Sequence, residues 1–101
     1  MAKYKVCKTS DLAEGQGNKY EVNGQDIAVY HVDGKFWATA DFCPHRGGSL
    51  GYGRLDGKTV ICPSHGWQFD ITTGECLNNV SGEVNTFEVS VEGDEVYVEL
   101  P

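Results

Sequence analysis

Apolar and polar residues alternate along most of this chain in short bursts, and the bursts are separated by glycine-bearing pairs. Phe87, Val89 and Val91 stand two apart, as do Val96, Val98 and Leu100, so each set falls on one face of an extended strand. β-Branched and aromatic residues concentrate at 27–32, 35–38, 59–61, 87–91 and 96–100, which predicts strands there. Around these runs stand Asn23-Gly24, Asp33-Gly34, Asp56-Gly57, Thr73-Gly74 and Gly93-Asp94. Such pairs centre tight hairpin turns because their residues tolerate positive φ. No segment keeps a helical apolar period over several turns. The pattern predicts an all-β fold built mainly from antiparallel hairpins.

Two stretches break this rhythm. Residues 41–54 hold four glycines, and residues 62–70 hold Pro63, Gly66, Trp67 and Phe69. Both read as loops between strands, and each carries one cysteine and one histidine. No repeat, low-complexity segment or charged tail divides the chain, and its 101 residues suffice for one core. A 40% hydrophobic and 11% aromatic content argues against disorder. Fifteen acids against eight bases give a formal charge of −7, which disfavours nucleic acid or an anionic membrane and suits a partner with a basic docking face. The start, Met1-Ala2-Lys3-Tyr4-Lys5-Val6, opens no signal-peptide run, and no stretch has the length of a spanning helix. The expectation is a soluble cytoplasmic protein. In that reducing compartment its four cysteines suit metal or redox work better than disulfides.

The two loops read Cys43-Pro44-His45-Arg46-Gly47-Gly48 and Cys62-Pro63-Ser64-His65-Gly66-Trp67-Gln68-Phe69-Asp70. This is Cys-x-His, sixteen residues, then Cys-x-x-His, and a hairpin at Asp56-Gly57 brings the two together. Three readings compete. Packing cysteines beside surface histidines leave the matched Cys-Pro starts unexplained. A single tetrahedral zinc accepts these donors, but its ligand pairs are usually spaced by two to four residues. Cys43 and His45 have only Pro44 between them, so their donors diverge. A 2Fe-2S cluster with two thiolates on one iron and two imidazoles on the other turns that divergence into a requirement.

On these residues the chain resembles the Rieske family, whose signature is C-x-H…C-x-x-H. The resemblance spans about the whole chain and implies one domain, 1–101, with cluster-binding loops at about 41–54 and 62–70. It implies an antiparallel β-sandwich or barrel base under a small cluster-binding subdomain. It also implies Cys43 and Cys62 as thiolate ligands and His45 and His65 as imidazole ligands of one 2Fe-2S cluster. Gly47, Gly48 and Gly66 stand where backbone amides are wanted for the cluster sulfurs. Pro44 and Pro63 stiffen the loops, and Trp67 and Phe69 anchor the second one.

Departures from the respiratory branch of the family bear on potential. That branch adds a disulfide-forming cysteine to each loop, where this chain has Ser64 in one and Gly47, Gly48 and Ser49 in the other. It also places a serine and a tyrosine after the second histidine, where this chain has Trp67 and Phe69. Fewer donors to sulfur leave the reduced cluster less stabilised, so the expected potential is near the low end of the Rieske range, about −150 mV. The family's capping third loop corresponds to 77–81, which here lacks its usual proline. Cys7 and Cys76 read as packed thiols, His31 as an ordinary strand residue, and Glu83, Glu88, Glu92, Asp94, Glu95 and Glu99 as a solvated face.

The sequence offers no nucleophile with an orienting base, no phosphate loop and no second cofactor motif. The expectation is a one-electron carrier, not an enzyme. It resembles the Rieske-type ferredoxins that pass electrons from a flavin- or NADH-dependent reductase to a terminal ring-hydroxylating oxygenase. Two alternatives stay open: the small Rieske subunit of an NADH-dependent nitrite reductase, and a zinc-bound interaction module.

Overall fold

The computed structural model describes residues 2–42, 48–63, 66–78 and 82–100. The described strands are β1 (Ala2–Lys8), β2 (Gln16–Val22), β3 (Gln25–Val32), β4 (Lys35–Ala40), β5 (Arg54–Asp56), β6 (Thr59–Ile61), β7 (Gln68–Asp70), β8 (Thr86–Phe87), β9 (Val89–Glu92) and β10 (Glu95–Leu100). They form three antiparallel sheets, ordered β1-β10-β9, β2-β3-β4-β8 and β5-β6-β7. The only helical pieces among the described residues are single 3-10 turns at Thr9–Asp11 and Leu50–Tyr52, so none is long and apolar enough to cross a membrane. The all-β expectation holds.

Strand β3 explains the layout. Its residues 27–30 are fully buried on both faces, so alternation divides them between two cores. Ile27 and Val29 join Leu12, Val22, Ala38, Val98 and Leu100 in one core. Ala28, Tyr30 and Val32 face the other, with Leu50, Val60, Cys62, Phe69 and Ile71. The first core belongs to the base, and the second carries the two loops. Burying one large apolar side chain is worth about 1.5–3 kcal/mol, so β3 binds both halves strongly.

A strand apolar on both faces does not choose its register by alternation, because a one-residue slip still buries apolar groups. Here the turns choose it. Asn23 (φ 52°) and Gly24 (φ 78°) close β2 onto β3, and Asp33 (φ 60°) and Gly34 (φ 72°) close β3 onto β4, both with the two positive angles of a type I′ turn. The ladders then run Val22↔Gln25 to Gln16↔His31 and Val32↔Lys35 to Ile27↔Ala40. One polar contact backs this register: the buried Tyr30 hydroxyl meets Thr39 Oγ1 at 3.0 Å, and burial pushes the phenol's pKa well above its usual range.

The structure corrects three expectations. The run expected at 87–91 is two strands, since the chain passes from β4 (Ala38↔Phe87) to β10 (Val98↔Val89) around Glu88, and Val91 ends up 47% exposed. The β5–β6 turn is centred on Gly57-Lys58, because Asp56 pairs with Thr59. The second loop is shorter than 62–70, since Gln68–Asp70 is β7 and pairs with β6. The end strands β1 and β10 pair along their length, from Ala2↔Leu100 to Lys8↔Glu95 with an irregularity between Lys5 and Cys7.

Gly74 (φ +80°) offers a test of the loop-bearing half. A Cβ there lies 1.9 Å from the Val84 carbonyl oxygen, whereas Gly24 (φ +78°) has open space around it. Gly74→Ala should cost about 3 kcal/mol or more, combining backbone strain with a backbone clash, and Gly24→Ala only about 1 kcal/mol. Urea unfolding of both variants measures the difference.

Candidate metal centre

The first loop leaves β4 at Asp41 and is pinched at its base by the bridge Phe42↔Ser49. Asp41 is 4% exposed. Its Oδ1 accepts hydrogen bonds from Ser49 Oγ (2.9 Å) and the Gly51 amide (2.7 Å). Its carbonyl accepts the Leu50 amide at 2.9 Å, and its own amide donates to the Asp26 carbonyl at 3.2 Å. A buried carboxylate is tolerated when donors replace its water, so Asp41 holds the loop's returning end onto β3. Leu50, fully buried beside Tyr30's core, anchors the same turn.

The second loop begins at Cys62, which is 2% exposed. The Cys62 amide donates to the Trp67 carbonyl at 2.8 Å, and the Gly66 amide donates to the Cys62 carbonyl at 3.1 Å, closing 62–67 on itself. The positive φ of Gly66 (74°) meets the demand of that turn. The Gly66 amide, expected near a cluster sulfur, donates here to a main-chain carbonyl. Gly47 lies outside the described residues. Phe69 is fully buried and Trp67 packs against the same core, so both anchor the loop as expected. Beyond them, Asp70 Oδ1 accepts from Thr72 Oγ1 (2.6 Å) and the Thr72 amide (2.8 Å). Those bonds, the hydroxyl's first, hold the Asp70 carboxyl below the usual aspartate range.

The β5–β6 hairpin joins the loops, and its outermost pair, Arg54↔Ile61, sets the end of one beside the start of the other. A third segment meets them. The Leu77 amide donates to the Gln68 carbonyl at 2.7 Å, and the Asn78 side chain contacts the second loop. Asn78 Oδ1 accepts from the Gln68 amide, and Nδ2 donates to the Gly66 carbonyl, each at 3.1 Å.

Of the four expected ligands, Cys62 is described and sits in the loop-bearing core. Cys43, His45 and His65 lie outside the described residues, as do 79–81 of the third segment. The donor set itself, two thiols and two imidazoles on adjoining loops, suits a cluster with unlike irons. Two residues with roles at the site, Asp41 and Asn78, were not singled out from sequence. Asp41 leaves a faint signal, an acidic residue just ahead of Cys43, and Asn78 leaves none.

The remaining candidates are accounted for elsewhere. Cys7 is a buried free thiol on β1, raised in pKa chiefly by burial, and it shares a hydrogen bond with Tyr20, whose phenol is pushed up to about 12 mainly by its own burial. Cys76 is also a buried free thiol, 3.5 Å from Asn78 Oδ1. His31 sits in β3 with Nδ1 2.8 Å from the Leu12 carbonyl and its ring stacked on Phe36 at 4.2 Å. The acidic face is not only solvated: Glu92 pairs with Lys3, and Glu95 with Lys5 at 2.7 Å.

The family model "Rieske [2Fe-2S] domain" matches residues 2–88. The ferredoxin CarAc of Metapseudomonas resinovorans is 40% identical over 96 residues, covering 93% of this chain and 90% of its own. The ferredoxin component of biphenyl 2,3-dioxygenase from Rhodococcus jostii (strain RHA1) is 37% identical over 101 residues, covering 99% of this chain and 94% of its own. A chain in the solved complex of reduced oxygenase and oxidized ferredoxin in carbazole 1,9a-dioxygenase superposes with a TM-score of 0.86 at 39% identity. That match covers 95% of this chain and 91% of the other.

Two outcomes test the loop bases. Asp41→Ala strands two donors and should cost about 3 kcal/mol in urea unfolding, while Asp41→Asn, which keeps an acceptor oxygen, should cost clearly less. Equal losses would show that the acceptor is not what pins the loop. The depressed Asp70 carboxyl contributes stability that is present above the ordinary aspartate range and lost as pH falls through its lower folded value. Asp70→Asn should therefore flatten the fall in unfolding free energy from about pH 5 downward.

Proposed function

The chain belongs to the Rieske [2Fe-2S] domain family, and on that footing we propose that it shuttles single electrons from a reductase to a terminal oxygenase of aromatic rings. It is an electron carrier, and the chemistry of a ring-hydroxylating reaction belongs to its partners. The observation that carries this reading is the near end-to-end likeness to ferredoxin components of dioxygenase systems. In this reading the whole of 1–101 is one cluster-binding unit. We assign Cys43 and Cys62 to one iron and His45 and His65 to the other; the spacing and donor chemistry of the two loops support that assignment.

When bound, the cluster stores and releases one electron. The chain's own residues do the rest. Cys62 stands at the start of its loop, buried with Tyr30, Leu50 and Phe69 in one apolar core. Asp41 and the Cys62–Trp67 closure fix the two loop bases, which limits how far the ligands shift between oxidation states. Phe69 and Trp67 bring no hydroxyl to the sulfurs, which supports the low potential. The net charge of −7 suits docking on basic faces of both partners, weakened by salt. We place the carrier in the cytoplasm, a reducing compartment in which four cysteines suit metal or redox work better than disulfides.

Purified holo-protein should be red-brown, contain iron and acid-labile sulfide in equal amounts, and give an EPR signal only after reduction. Redox titration should return a midpoint near about −150 mV. A lone zinc without sulfide sinks the cluster assignment. A clearly positive midpoint sinks the low-potential reading alone. Stable co-elution with a nitrite reductase at high salt would replace the shuttle with a fixed subunit.

A further inference from the structure

The Asn78 amide makes an unusual pair of contacts. Its Oδ1 receives the Gln68 amide and its Nδ2 donates to the Gly66 carbonyl, both at 3.1 Å. Those two main-chain groups flank Trp67 and are the ones that a residue on a neighbouring parallel strand would engage. One side chain therefore does the work of a short strand along the segment that follows His65. The orientation of the amide is forced, since a main-chain N–H demands the oxygen and a carbonyl demands the nitrogen. The same oxygen lies 3.5 Å from the Cys76 thiol, and the neighbouring Leu77 amide bonds to the Gln68 carbonyl at 2.7 Å. The latch is thus itself tied to the second loop from behind.

What the latch holds follows from the main chain. On its inner side the segment 62–67 is closed by the bonds between Cys62 and Trp67 and between Gly66 and Cys62. On its outer side, the described partners of the Gly66 carbonyl and the Gln68 amide come from Asn78. Trp67 and Phe69 are seated in the core, so Asn78 holds the Gly66 end of this segment, next to His65 in sequence.

We propose that Asn78 is a positioning residue for the cluster, fixing the backbone that leads into His65 and so retarding loss of the iron assigned to the histidines. This rests on the ligand assignment made above. Asn78 is exposed, so losing its bonds burdens the fold little. The cost falls on local opening of the loop, which is where a ligand detaches.

The test uses holo-protein of the wild type, Asn78→Ala, Asn78→Asp and a control, Asn18→Ala, whose side chain caps the Lys19 amide in the base. Iron release to an excess of chelator, thermal unfolding and the EPR spectrum of the reduced state are measured for each. Asn78→Ala should release iron about tenfold faster than wild type, as expected for losing two modest hydrogen bonds in the loop-opening step. Its reduced-state EPR lines should broaden as the imidazole geometry spreads. Asn78→Asp keeps the acceptor for Gln68 but lacks the donor for Gly66, so it should also release iron faster, and it reports on the latch if the alanine variant does not accumulate. Asn18→Ala should match wild type in iron release and in the EPR spectrum. Release rates within twofold of wild type with unchanged EPR in the Asn78 variants overturn the proposal. So does an equal acceleration in Asn18→Ala, which would mark general destabilisation. Absence of acid-labile sulfide in the wild type overturns the cluster assignment first, and is read before any variant is compared.

Discussion

Burial of β3 on both faces is the constraint from which the remaining structure follows. A strand with Ile27 and Val29 on one side and Ala28 and Tyr30 on the other cannot border water, so each face must be covered by separate material. The outer strands cover one side. The turn at Leu50–Tyr52 and the small sheet β5-β6-β7 cover the other. The two loops are therefore not appendages but the lid of a core, and Cys62 belongs to that lid's apolar floor. A cysteine rooted in this way shares the stability of the domain.

Apolar contact and polar contact divide the labour at the site. Leu50, Phe69 and the Trp67 ring decide where each loop begins and ends, because their burial is worth several times a typical hydrogen bond. Hydrogen bonds decide the shape between those anchors. Asp41 gathers Ser49 and Gly51, the Cys62–Trp67 closure rounds the second loop, and Asn78 braces its outer side.

The sequence made some of this readable and concealed the rest for definite reasons. Strand β10 was legible because Val96, Val98 and Leu100 each face a core and nothing interrupts the period. The hairpins flanking β3 were legible because Asn-Gly and Asp-Gly state their backbone angles outright. Strand β2 was not read as one, since in Gln16–Val22 only Val22 is buried and the strand owes its form to pairing with β3. The break at Glu88 was hidden because Phe87 and Val89 pack against the same core from two different sheets, leaving the alternation intact. At the site, the spacing of the two Cys-His pairs was plain. The parts played by Asp41 and Asn78 were not, because a side chain that caps a distant main chain has no local pattern.

The pairing of β1 with β10 ties the beginning of the chain to its end, Ala2 opposite Leu100. During synthesis the first strand, with Lys3, Lys5 and Lys8 along it, has to wait for the last one before its own ladder exists. Contacts so distant along the chain make closure slow, and the nascent polypeptide spends that interval with an open edge whose lysines discourage wrong neighbours. Completion of the β1-β10-β9 sheet is thereby timed by the β9–β10 hairpin.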